Sequence, residues 1–312
     1  VHTALESRLT ADIGEAGKRV HLGRSRNDQV LTALRLYMLD AAADLAQAAR
    51  QVTTALQALG QRHADTVLPG YTHMQQGMPS SVELWAGGFA TEITDDAIGL
   101  EAACRRISKN PLGSAAGYGT PGIPADREHT RAALGFAETQ EPVTAVQLSR
   151  GKAEAGLVFE ASLLMQDLGK LAADLLVFYT QEFAYIKLPE NMTTGSSIMP
   201  QKRNPDVLEL VRGATATVNA ALDEILGIST KLGSGYLRDL QRLKPPLFRA
   251  IDLTEASAQI MAHLLEGVQF VPENIELDES IYAAERANKL VVEEGISFRD
   301  AYLKVASTLN KK

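Results

Sequence analysis

The chain has 312 residues, 45% of them hydrophobic and 22% charged, with a net charge of −7. This is the balance of a soluble globular protein with a large core, in roughly one to three domains. The acidic surplus gives no electrostatic footing for nucleic acid, no apolar run approaches the roughly 20 residues of a membrane span, and the single Cys104 cannot close an intrachain disulfide, which fits a cytoplasmic setting.

The first ten residues do not resemble a signal peptide and lack a methionine, so a piece of a longer reading frame is expected. A short helix is predicted over 2–13. Val30, Leu34, Met38, Ala41, Leu45, Ala49, Val52, Leu56 and Leu59 then recur every three or four residues, which predicts a long helix of about eight turns. Ser25 or Asn27 suits its N-cap. Helices are also predicted over 79–107 and 125–134. Leu157, Ala161, Leu164, Leu168, Leu171, Leu175 and Phe178 alternate in steps of four and three, the heptad seam of helices packed at shallow angles. Asn204 suits the N-cap and Pro205 the first position of a helix carrying Leu208, Val211, Val218, Leu222 and Ile225. Another begins near Pro246, and shorter helical pattern covers 278–308. Strand signals are almost absent. The expected class is all-α, a long-helix bundle. A helix of thirty-odd residues is about 50 Å long, and one chain of this size cannot cover several of them, so their apolar seams point to oligomerisation. Residues 108–124 and 184–203 read as long loops, which in compact proteins usually carry function.

The second of these loops holds the densest chemistry. It runs Thr193-Thr194-Gly195-Ser196-Ser197-Ile198-Met199-Pro200-Gln201-Lys202-Arg203-Asn204-Pro205-Asp206. A glycine-hinged serine loop, a lysine and a helix start fall together, and a positive helix end beside a cation favours a substrate that is or becomes anionic. Taken alone, such a loop is more often a solvated connection. Two other patterns point nowhere. Gly117-Tyr118-Gly119-Thr120-Pro121-Gly122 has the spacing of a dinucleotide loop, but no strand precedes it and Pro121 stands where the helix should start. The six histidines show no paired metal-ligand spacing.

Four segments together resemble one family. They are Gly23-Arg24-Ser25-Arg26-Asn27-Asp28-Gln29-Val30, Gly70-Tyr71-Thr72-His73-Met74-Gln75, the 193–206 stretch with its continuation Val207-Leu208-Glu209-Leu210, and Tyr236 to Lys244. In this order they resemble the argininosuccinate lyases of the aspartase/fumarase superfamily, whose relatives include the delta-crystallins. The resemblance implies cleavage of argininosuccinate to arginine and fumarate by base-catalysed elimination, without cofactor or metal. It implies that Ser196 is the base and that Lys202 and Asn204 stabilise the carboxylate-centred charge. His73 would work on the leaving-group side, paired with Glu209 of another subunit. Thr72, Arg26 and Asn27 would bind substrate, and Tyr236, Gln241 and Lys244 would hold its arginine portion. A homotetramer around a central helical bundle is implied, with sites shared between subunits.

The expected organisation is a remnant of an N-terminal domain over 1–23, a catalytic bundle over 24–277 and the start of a small C-terminal domain over 278–312. Members of the family are typically longer at both ends. Two segments depart from its common pattern, Pro142 to Lys152 and the Gly113–Gly119 loop. The competing readings are a catalytically silent delta-crystallin-like scaffold or inactive fragment, and another superfamily lyase such as adenylosuccinate lyase. The Gly23–Val30 and Tyr236–Lys244 segments argue against the latter.

Overall fold

The computed structural model describes residues 2–309; residue 1 and residues 310–312, the outer ends of the two flanking domains expected above, lie outside the described residues. The helices run in chain order as α1 (His2–Ile13), α2 (Arg26–Arg62), α3 (Val82–Ile107), α4 (Arg127–Leu134), α5 (Ala145–Leu148), α6 (Lys152–Tyr179), α7 (Asp206–Ser229), α8 (Lys244–Gly267), α9 (Ala283–Glu294) and α10 (Phe298–Leu309). The periodic segments are thus helices, and the fold is an all-α long-helix type. Every member of the heptad seam from Leu157 to Phe178 is buried, as is every member of the α2 stripe except the half-buried Val30.

The chain folds as two compact units, with boundaries inside the long helices. One gathers the segment ending at Arg50 with Asp95–Gln166 and Gly213–Ala258; the other gathers Gln51–Thr94, Asp167–Arg212 and the segment from Gln259 onward. In the first, Leu34, Met38, Leu45, Leu100, Leu157, Leu164, Val218 and Leu247 are buried. In the second, Leu56, Leu59, Ile93, Leu168, Leu171, Leu208 and Leu264 are buried. Leucine at these spacings keeps one face apolar along each helix, and burying that face supplies the stability that helix propensity alone does not.

Strands are few and short, in keeping with the sparse strand signals of the sequence. Short pairs form between β1 (Val67–Thr72) and β2 (Gln75–Ser81), β3 (Lys109–Asn110) and β4 (Glu138–Thr139), β5 (Ile186–Lys187) and β8 (Gln269–Phe270), and β6 (Thr194–Gly195) and β7 (Arg203–Asn204). Most are two residues long, too short for any alternating pattern to register. The predicted cap of α7 is corrected. Asn204 pairs with Thr194 across a strand, and the Pro205 carbonyl accepts the first helical N–H groups, from Leu208 and Glu209. Residues 278–308 divide into α9 and α10 because Gly295, at φ 66°, ends α9 in a left-handed cap.

At the start of α2, Ser25 is the cap. Its hydroxyl accepts the Asn27 N–H at 3.2 Å, while the Asp28 carboxylate returns to the Ser25 N–H at 2.8 Å, the reciprocal pairing of a capping box. The other Asp28 oxygen accepts the N–H groups of Gly113 and Ala115, at 3.0 and 2.9 Å. A fully buried carboxylate thus organises the 108–124 loop. Arg35, one percent exposed, ties α2 to the Lys109 carbonyl, Gln140 and Ser149, and burial lowers its pKa to about 10 although Glu154 opposes the shift. Asp28→Ala leaves three N–H donors without their acceptor, that of Gly113 buried and those of Ser25 and Ala115 half-buried, and its expected cost is about 2–3 kcal/mol. Chemical denaturation checks this; a loss below about 1 kcal/mol would show that the loop holds its shape without the carboxylate.

Candidate active site

The residues singled out from the sequence fall into two groups, one in each unit. In the second unit, β6 and β7 pair antiparallel, Thr194 with Asn204 and Gly195 with Arg203, and so close a loop over 196–202. Ser196 is half-buried and Ser197 exposed. The Ser196 Oγ accepts two main-chain N–H groups, from Ile198 at 3.3 Å and Met199 at 3.1 Å. Lys202 closes the same turn, its N–H donating to the Met199 carbonyl at 3.0 Å. The loop base is braced by Thr194 donating to Asp206 and by an Arg203–Glu190 ion pair.

Lys202, Asn204 and Glu209 line one open groove of about 810 Å³ together with Tyr179 and Arg212. Lys202 makes no ion pair among the described residues and is exposed. Arg212 lies one turn beyond Glu209 on α7 and brings a second cation to this groove; only its i+3 spacing from Glu209 marks it in the sequence.

Thr72 and His73 stand at the tip of the β1–β2 hairpin, and all of Thr72, His73 and Met74 are exposed. Thr72 pairs with Gln75, which leaves His73 and Met74 as a two-residue turn. Both have positive φ, 53° and 60°, the geometry of a hairpin turn that Asn-Gly usually fills. Left-handed backbone at non-glycine residues costs about 1–3 kcal/mol each and gathers at functional sites. Among the described residues no hydrogen bond joins His73 to Glu209. A further groove of about 740 Å³ in this unit is lined by Tyr71, Met74, Trp85, Phe89, Asp174 and Phe178. Its lining is mostly apolar and contains neither Ser196 nor Lys202. There the Trp85 indole donates to Asp174 at 2.9 Å, and burial raises the Asp174 pKa against that bond.

In the first unit, Tyr236, Gln241 and Lys244 form one hydrogen-bonded chain. The Lys244 ammonium donates to Gln241 Oε1 at 2.8 Å, and Gln241 Nε2 donates to the Tyr236 hydroxyl at 2.9 Å. Lysine has no acceptor, so the orientation of the Gln241 amide is fixed. A 3₁₀ turn, Arg238–Leu243, leads into α8 at Lys244 and places the three side chains together. Burial first, then the charge of Arg150, lowers the Lys244 pKa. Arg26 is exposed and reaches Thr3 at 3.4 Å. Asn27 is buried, between the Ala115 carbonyl and the Arg150 guanidinium, each at 3.2 Å. Arg150 had no weight in the sequence reading because its partner stands 123 positions away.

A model of the family described as "Lyase" matches residues 1–220. An argininosuccinate lyase of Sorangium cellulosum is 46% identical over 99% of this chain and 71% of its own length. That of Bacteroides fragilis is 41% identical over 98% of this chain and 68% of its own. Among solved structures, an EDDS lyase in complex with formate superposes with a TM-score of 0.87 at 27% identity, covering 96% of this chain and 60% of that one. A class II fumarase from Schistosoma mansoni shares the fold, with a TM-score of 0.79 at 19% identity over 94% of this chain and 66% of that one. Fold and relatives define a helical lyase of the fumarase type. Within that class, the chain belongs to the argininosuccinate lyase family. It spans 60% of the EDDS lyase chain and about 70% of the argininosuccinate lyases it matches.

Proposed function

We propose that the protein containing this chain cleaves argininosuccinate to L-arginine and fumarate by base-catalysed elimination, with Ser196 as the base. The observation that carries this reading is the pair of main-chain N–H groups on the Ser196 Oγ. A free serine hydroxyl is a poor base. Two N–H donors aimed at its oxygen favour the alkoxide, as donors in an oxyanion hole do. Removal of a proton next to a carboxylate builds negative charge on that carboxylate. Lys202 and Asn204 line one groove with the start of α7, which Ser196 itself does not line, and in this reading they meet that charge when the 196–202 loop closes on substrate.

In this reading His73 serves the leaving nitrogen, with Glu209 of another subunit fixing its tautomer, and Thr72 binds substrate beside it. Arg26 and Asn27 take carboxylates. The Tyr236–Gln241–Lys244 chain holds the arginine portion, its fixed amide and ammonium suiting an α-amino acid head. A homotetramer whose sites are shared between chains belongs to the same reading, and the exposed apolar side chains on the long helices, among them Leu84, Ile98, Phe159, Leu210 and Leu226, are available for its contacts. A cytoplasmic location follows from the reaction class, and no helix among the described residues is long and apolar enough to cross a membrane.

We infer that residues 1–23 are an N-terminal remnant, 24–277 the catalytic bundle and 278–312 the start of a C-terminal domain. The separate apolar cluster of Ala287, Ala301 and Val305 between α9 and α10 supports the last. Purified protein incubated with argininosuccinate is expected to release fumarate, followed by its ultraviolet absorbance, with an equal amount of arginine. Argininosuccinate that stays intact would end the lyase reading and leave a silent scaffold.

A further inference from the structure

We propose that Arg150 is a positioning residue for this reaction, fixing the carboxamide of Asn27 so that one N–H is presented to substrate; the inference rests on the lyase reading above. Arg150 stands just before α6, with its side chain one percent exposed. Its Nη1 donates to Asn27 Oδ1 at 3.2 Å, and Asn27 Nδ2 donates to the Ala115 carbonyl at 3.2 Å. A guanidinium only donates and a carbonyl only accepts. Asn27 therefore has a single orientation, with its oxygen toward Arg150 and its nitrogen toward the loop. One Nδ2–H remains, enough for a carboxylate oxygen.

The neighbourhood makes this more than a surface contact. Ala115, which receives Asn27, is itself held in left-handed backbone at φ 50° and donates to the buried Asp28. Glu154 balances the Arg150 charge from 3.8 Å and is anchored by the Gly151 N–H at 2.8 Å. The Nε and Nη2 groups of Arg150 have no hydrogen-bond partner, nor has Glu154 Oε1. Burying a charge with most of its donors unfilled is costly, and an apolar side chain would fill the same space without that cost. The charge also bears on the other substrate-side group of this unit: burial lowers the Arg150 pKa against Glu154 and then Tyr236, and Arg150 adds to the burial that lowers the pKa of Lys244. Asn27 is thus in direct contact with a buried guanidinium whose charge also reaches Lys244.

The test is a double-mutant cycle. Arg150→Met is combined with Glu154→Gln so that no buried charge is left alone, and the pair is made with Asn27 intact and with Asn27→Ala. With Asn27 intact, kcat/KM for fumarate formation is expected to fall about 10²-fold, mainly through KM, as misplacement of a binding group does. In the Asn27→Ala background the same change should cost less than about 3-fold, because the interaction is already gone. Equal losses in both backgrounds would show a merely structural role and overturn the proposal. If the unaltered protein forms no fumarate, the lyase reading fails first. A crystal structure of the Arg150→Met/Glu154→Gln protein then decides the positioning: Asn27 turned away from Ala115 supports it, and Asn27 unmoved overturns it.

Discussion

Replacing Ser196 with alanine is expected to lower fumarate formation by about 10³-fold or more, in the range of a lost positioned base, while argininosuccinate still binds. The side chain makes no packing contact that alanine would forfeit in a core; it is half-buried in a surface loop. What is lost is the oxygen on which the Ile198 and Met199 N–H groups converge. Lys202, Asn204 and the α7 terminus stay in place, so the ground-state attraction for a polycarboxylate survives. Ser197 is exposed, and none of the hydrogen bonds that close the turn is made by its side chain. Ser197→Ala should therefore remain within several-fold of the unaltered protein, a surface-substitution effect. Steady-state rates with a calorimetric binding measurement separate the two. Near-normal turnover in Ser196→Ala with loss in Ser197→Ala would assign the base to the wrong serine.

Mixing two inactive proteins is expected to restore activity. His73→Asn removes the imidazole but keeps the turn, because asparagine tolerates the left-handed backbone that position 73 adopts. Ser196→Ala removes the base. If each site takes His73 from one chain and Ser196 from another, random reassembly at equal concentration gives about a quarter of the sites both intact residues. Activity from near zero to about a quarter of that of the unaltered protein is the largest gain any pair of variants here should show. The motive is the absence, among the described residues, of any hydrogen bond from His73 to Glu209 in the single chain, together with the exposed faces of Leu84 and Leu210. Subunits shown by mass to exchange, yet without recovered activity, would count against shared sites.

The periodicity of this chain was enough to establish its long helices. Leu157 to Phe178 keeps its heptad steps in sequence, and each of those residues is buried, because a helix converts regular spacing directly into one face. The local geometry of the Ser196–Lys202 turn and of the Tyr236–Lys244 segment was also within reach of the sequence, since the residues of each lie within a few positions of one another and local backbone brings them together. Sequence was silent where partners are remote or elements very short. The two-residue strands β6 and β7 exist only because each pairs with the other, and that pairing, not Asn204 as a cap, sets the entry to α7. Asp28 stands in the Gly23–Val30 segment with no role assigned to it, yet it is bonded to N–H groups 85 and 87 positions away. Arg150 reads as a departure from a family pattern until folding sets it against Asn27. Such placements depend on which buried donors find which acceptors, a choice made by long-range packing, and spacing along the chain carries no record of it.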